Sequence, residues 1–228
     1  MFDRFKMIGE ALFTLGMNDP RSGNISVFEE DKIYITKRSC WLSNLKEYDL
    51  ITVPVESDSP EDAEASVDLP VHRSIYQGTA HKAVIHAHSP YLCALSITEN
   101  KIMLSETKGS MVFQNGVPIT RLRQGISSEE AARTIVSNFT SGYRAVAVKG
   151  HGFFVAASNL EEAYEWAVCL ENSAKIIAVT KMIPDKQAVQ QQQQQQSRPY
   201  EHRKRSAIPP SIGVMDRRTT TYGRGPKR

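Results

Sequence analysis

The sequence has no run of about 18 apolar residues, the length a membrane-spanning helix needs. Its first ten residues, MFDRFKMIGE, carry two acids and no apolar core of the kind an export signal requires. Both absences predict a soluble, cytoplasmic chain with no membrane attachment. Cysteine is scarce as well: Cys40, Cys93 and Cys169 are odd in number, far apart and set in apolar surroundings. That excludes a disulfide framework and predicts buried, reduced thiols. What is present is ordinary for a folded protein, 40% hydrophobic and 23% charged residues in a chain of 228, enough for one sizeable core plus an appendage.

The net charge of +3 conceals an asymmetry. Residues 185–228 hold ten Lys/Arg against three Asp/Glu, which leaves 18 against 22 in residues 1–184. The basic part opens on a glutamine run, Gln190–Gln196, and continues in Arg, Lys, Pro and Gly with few large apolar side chains. Such a composition buries too little to offset the entropy of ordering it, so residues 185–228 are expected to be disordered or loosely attached. Two roles compete with that expectation: a basic segment that contacts nucleic acid or another polyanion, and a strap over an active site. The stretch Asp216–Gly225, DRRTTTYGRG, is the suspected part.

Residues 1–184 alternate between helical and extended patterns. Phe2, Phe5, Ile8, Leu12 and Leu15 recur at helical spacing before Gly16, which predicts a helix over 2–16. Short strands follow at 25–28, 33–36 and 50–55. Ser66 or Asp68 is placed to cap a helix with Pro70 in its first turn, running to about Gln77. An apolar strand at 83–88 leads through Ser89-Pro90 into a helix ending near Thr98. Strands are expected at 111–114 and 118–122, a helix at 128–139, and two strands at 145–148 and 153–156 across a Lys-Gly-His-Gly turn. A final helix from Ser158, with Glu161 as a capping box, extends to about Met182. Several connections are too short for parallel crossovers, so the expected class is a layered α/β domain with a mostly antiparallel sheet.

His86-Ala87-His88 closes the strand at 83–88, where residues two apart share a side, so both imidazoles can reach one ion. His151 sits between Gly150 and Gly152 at a turn where the backbone can bend closely around a ligand. Three neutral histidines with an open position suit a catalytic, zinc-type divalent ion. Asp68 is a helix cap or, beside a metal, a ligand or proton-transfer group. Ser22-Gly23-Asn24 is a turn whose backbone N–H groups could meet an anion, and Thr36-Lys37-Arg38-Ser39 adds two cations and two hydroxyls that could join it. His72, His81 and His202 are read as structural.

In this order, Gly23-Asn24-Ile25-Ser26, Ile35-Thr36, Ser66 to His72, Ala83 to His88, Gly150-His151-Gly152 and the long last helix resemble the class II aldolase/adducin family of the fuculose-phosphate aldolase type, over residues 2–182. The resemblance implies a three-layer α/β/α sandwich around a largely antiparallel sheet and a homotetramer with sites between subunits. It places Zn2+ on His86, His88 and His151, a phosphate cradle on Gly23, Asn24, Arg38, Ser39 and Ser66, and the acid/base carboxylate on Asp68. The tail has no counterpart in it.

The resemblance further implies reversible retro-aldol cleavage of a short, phosphorylated ketose to dihydroxyacetone phosphate and an aldehyde. Asp68 would exchange the proton at the reacting carbon, and Glu106 or Tyr222 would serve the departing oxygen. Two departures matter. Asp68 stands where aldolases of the family carry glutamate, which is similar to the ribulose-phosphate 4-epimerase branch and makes epimerisation the alternative. Val67 stands where a second serine is usual. A non-catalytic, adducin-like binding protein is the third reading, and the retained histidines argue against it.

Overall fold

Side-chain alternation along the strands sets up two cores. In β4 (Ala83–Ala87) every residue is buried. Ala83, Ile85 and Ala87 join one hydrophobic cluster while Val84 joins another, as period-two geometry requires of a strand covered on both faces. The computed structural model describes residues 1–184. The expectations for residues 185–228, including Tyr222 and the Asp216–Gly225 strap, lie outside the described residues.

β4 is central in an eight-stranded sheet. Its other strands are β1 (Asn24–Glu29), β2 (Lys32–Thr36), β3 (Leu50–Pro54), β5 (Lys101–Ile102), β6 (Val117–Thr120), β7 (Ala145–Val148) and β8 (Gly152–Ala157). The order is β3-β2-β1-β4-β8-β7-β6-β5. Every neighbouring pair is antiparallel except β6 and β7. The β1–β2 hairpin turns on Glu30 and Asp31, both at positive φ (50° and 61°), the two-residue geometry that matches strand twist.

On one face, α1 (Phe2–Thr14), α3 (Pro90–Thr98) and α6 (Leu160–Met182) bring Phe5, Leu12, Leu92 and Leu170 onto Ile85 and Val155. On the other, α2 (Leu69–Gly78) and α5 (Glu129–Thr140) bring Ile75 and Ile135 onto Val84, Val146 and Phe154. Each such buried side chain contributes about 1.5–3 kcal/mol. The result is the expected three-layer α/β/α sandwich with a mostly antiparallel sheet. No helix among the described residues is long and apolar enough to cross a membrane.

Several local expectations are corrected. Residues 111–114 are not a strand: Thr107–Val112 forms a short helix, α4, because the Glu106 carboxylate accepts the backbone N–H groups of Lys108 and Gly109. The two-residue strand β5 was not foreseen, being too short for periodicity to register. The last helix is capped by Asn159, whose side chain accepts from the Glu162 backbone, and not by Ser158 with Glu161. The first histidine pair straddles the strand end, since β4 stops at Ala87. Among the cysteines, Cys169 is buried, whereas Cys40 and Cys93 are partly exposed.

Candidate metal and acid/base site

The register of β4 brings the site together. His86 pairs across the sheet with Phe154 of β8, and its ring stacks on that phenyl ring at 4.2 Å between centroids. His88 follows β4 directly, and His151 lies in the β7–β8 turn, so both meet His86 at the same end of neighbouring strands. The His86 and His88 Nε2 atoms are 2.9 Å apart. One ligand-type atom from each of His86, His88 and His151 lies within 4.8 Å of the others.

The triad fits a metal on chemical grounds. The His86 Nδ1–H donates to the Phe153 carbonyl at 2.8 Å, which leaves Nε2 as the bare nitrogen facing its partners, the arrangement typical of ligating imidazoles. Burial, then the neighbouring His88 and His151, hold the His86 pKa well below the ordinary 6.5. Burial also lowers His88 and His151, against an opposing pull from Asp68 on both. All three are therefore neutral at pH 7, and the buried Nε2 of His151 has no hydrogen-bond partner among the described residues. Three neutral nitrogens with one orphaned lone pair could hold a divalent cation.

Glycines make room for this geometry. Gly150 has φ +67°, and a Cβ on Gly152 would lie 2.3 Å from the Ala87 carbonyl oxygen and 3.1 Å from the His88 ring. Gly23, at φ +77°, passes so close to Asn18 that a Cβ would meet its amide at 2.6 Å. Asn18 in turn accepts the His88 backbone N–H at 3.1 Å, so Gly23 contributes to placing a histidine loop.

Asp68 lies beside the triad, its Oδ2 3.7 Å from His86 Nε2 and its side chain almost fully buried. It occupies the N-cap position of α2 but makes no side-chain cap bond. Its carboxylate instead accepts the Asn24 amide at 2.7 Å, and Oδ1 has no partner among the described residues. A buried carboxylate turned from its own helix toward three imidazoles is poised to exchange protons with a ligand there.

The loops bearing the expected phosphate residues run together: the Arg38 N–H donates to Glu64 O at 2.9 Å and the Ser66 N–H to Thr36 O at 3.1 Å. Ser66 Oγ accepts the Asp68 N–H at 3.3 Å. Arg38 and Ser66 line one cleft of about 510 Å3 with Arg73, Asp58, Asp62 and Ser127. Arg73 is paired with both aspartates, whereas Arg38 forms no salt bridge among the described residues. Ser39 sits in the left-handed region at φ 58°. The side chain of Asn24 donates one amide N–H to Asp68, and its Oδ1 has no partner among the described residues.

Glu106 is placed apart from this cleft. It borders two other clefts, with Ile176 in both and Leu95 or Cys169 in one each, and no triad histidine lines either. A hydrogen bond from Ser173, then those from Gly109 and Lys108, lowers its pKa. Sequence reasoning missed a buried cluster beneath the site, in which Ser26 Oγ lies 2.6 Å from His72 Nδ1 and 2.5 Å from the Tyr76 hydroxyl. Its only sequence signal is that His72 and Tyr76 lie four apart on one helix face.

An α/β/α sandwich with a three-histidine, one-carboxylate site at a strand end defines a metal-competent enzyme-like class. The chain belongs to the family described as the Class II Aldolase and Adducin N-terminal domain, whose model matches residues 5–178. It is 28% identical over 155 residues to an L-fuculose phosphate aldolase of Methanococcus vannielii, covering 68% of this chain and 82% of that one. It is 22% identical over 200 residues to a probable bifunctional methylthioribose-1-phosphate isomerase/methylthioribulose-1-phosphate dehydratase of Nocardia farcinica. That match covers 78% of this chain but spans only 35% of the longer relative. The crystal structure of L-fuculose-1-phosphate aldolase from Thermus thermophilus superposes with a TM-score of 0.74 at 30% identity, covering 79% of this chain and 93% of that one.

Proposed function

We propose that this chain is a zinc-dependent aldolase that cleaves a short ketose 1-phosphate reversibly to dihydroxyacetone phosphate and an aldehyde. The observation that carries the reading is the placement of Asp68, a buried carboxylate 3.7 Å from the His86 nitrogen that faces the other two histidines. His86, His88 and His151 would hold the ion, which when bound supplies Lewis acidity toward a carbonyl, an effect worth several kcal/mol.

The chain's own groups account for the rest. The Asn24 amide holds Asp68 Oδ2 in place and leaves Oδ1 to take or return a proton at the substrate carbon beside the carbonyl. Arg38, Ser39 and Ser66, with the backbone at Gly23 and Asn24, would receive the phosphate, which fixes the substrate's end and hence its reacting carbon. The near-complete burial of Asp68 and His86 strengthens their electrostatic interaction with a bound substrate. Glu106, as the second acid, would have to act at the site of another copy in a homotetramer, because its carboxylate borders separate clefts here.

A second reading, a sugar-phosphate 4-epimerase, is favoured by one feature, the aspartate at position 68. Asp68→Asn keeps size and polarity but abolishes basicity. Purified wild type and variant are assayed, with and without chelator, on a panel of ketose phosphates and for solvent-proton exchange into dihydroxyacetone phosphate. The expected outcome is a folded variant with activity and exchange reduced about 10²- to 10⁴-fold. Wild type that exchanges no proton yet interconverts two pentulose phosphates would establish the epimerase instead.

A further inference from the structure

The nine-residue helix α3 follows His88 in the chain and is hydrogen-bonded to the turn that carries His151. It begins at Pro90, two residues after His88. Its N-cap residue, Ser89, makes no cap bond. The first-turn donors are taken by Glu171 of α6, which accepts the Tyr91 N–H at 3.2 Å and the Leu92 N–H at 3.1 Å. Glu171 is only 2% exposed, so a buried carboxylate is used on the positive end of this helix, where it binds N–H groups strongly.

The far end of α3 holds the turn that carries His151. Ser96, fully buried, accepts the Gly150 N–H at 2.8 Å while donating to the Cys93 carbonyl at 2.7 Å. The Lys149 ammonium donates to the Ile97 carbonyl at 2.6 Å. The two residues immediately before His151 are thus tied to the helix that immediately follows His88. The turn makes one internal bond of its own, from the His151 N–H to Val148 O at 3.0 Å, and its first residue is also anchored on the sheet by the Lys149 N–H donating to Thr120 O of β6 at 2.9 Å, so α3 is the support beyond the sheet that holds Gly150.

We propose that α3 is a strut that sets the spacing of the metal triad, with Ser96 and Glu171 as positioning residues and Lys149 as a secondary tether. The inference rests on the reading that His86, His88 and His151 hold a divalent ion. Groups that orient ligands without touching the ion typically govern affinity by about 10- to 100-fold, and Ser96 acts here on the backbone of the ligand-bearing turn.

The test is competition between the full-length protein and a chelator for Zn2+, together with the visible absorption of the Co2+-loaded form, for wild type, Ser96→Ala, Lys149→Met and His151→Ala. The expected result is an unchanged fold and a metal affinity lowered about tenfold or more in Ser96→Ala, with an altered Co2+ spectrum and a smaller loss in Lys149→Met. Should Ser96→Ala fail to fold, Lys149→Met decides the matter alone, because its tether lies at the surface. Wild-type affinity and spectrum in the folded tether variants, alongside a clear loss in His151→Ala, would overturn the strut and leave the triad standing. Equal affinity in wild type and His151→Ala would instead overturn the metal reading itself.

Discussion

The His86 imidazole donates from Nδ1 to the backbone carbonyl of Phe153, a residue 67 positions later in the chain, at 2.8 Å. A single strand pairing therefore selects the tautomer of a ligand-type histidine. The same pairing stacks His86 on Phe154, so the ring is fixed in both rotation and protonation. Placement of this kind, by partners distant in the chain, has measurable consequences at several positions.

Arg38 should matter for phosphate and little for the sugar. It lines the cleft beside Ser66, and losing one charge-assisted contact costs about 1.5–3 kcal/mol. Arg38→Ala should raise KM roughly 10- to 150-fold for phosphorylated ketoses, the conversion of that energy, with little change for unphosphorylated ones. Equal changes for both would make Arg38 an ordinary surface cation.

Gly152 should resist enlargement. An added methyl would sit 2.3 Å from the Ala87 carbonyl oxygen and 3.1 Å from the His88 ring, so the strand pair or the histidine loop must move. Gly152→Ala should lose ~1–3 kcal/mol of stability in urea unfolding and also bind metal less tightly. Gly125→Ala, where nothing lies within 4 Å, is the control expected to change neither.

His72 should make the metal-free protein sensitive to acid. Burial, opposed by Asp68 and reinforced by His86, lowers its pKa from 6.5 to about 3. The unfolded chain takes up this proton near 6.5 and the folded one only near 3, so stability falls as pH drops through that window. The full shift corresponds to about 5 kcal/mol. His72→Gln should flatten the decline measured by urea unfolding between about pH 7 and pH 4.5, and an unchanged slope would refute the assignment.

Glu106 is expected to behave as a helix cap within its own chain. Its carboxylate holds the start of α4 and accepts the Ser173 hydroxyl. Glu106→Gln should cost ~1 kcal/mol in thermal unfolding with Zn2+ affinity unchanged. The proposed role as an acid at a neighbouring copy's site adds a fall in kcat to that loss, and an unchanged kcat would remove Glu106 from the chemistry.

The sequence by itself determined most of the scaffold. Helix positions followed from the spacing of Phe5, Ile8 and Leu12 and from Ser89-Pro90 ahead of the helix ending near Thr98, and the buried strands from the apolar runs expected at 83–88 and 145–148, because local periodicity and turn chemistry act over a few residues. Histidines two apart at a strand end, and a third between glycines, were also legible as a group that the fold would bring together, as it does. The errors were local competitions: Glu106 recruited residues 107–112 into a helix, and Asn159 displaced Ser158 as a cap.

What only the tertiary structure decided is how residues distant in the chain share their polar groups. Asp68 caps nothing with its side chain because Asn24, 44 residues away, supplies a donor. Likewise, α3 takes Glu171 in place of a local cap, and Ser96 reaches Gly150 across 54 residues. No periodicity records such choices. A buried donor or acceptor must find a partner, and the partner available is set by which strands and helices the packed sheet brings within about 3 Å of it.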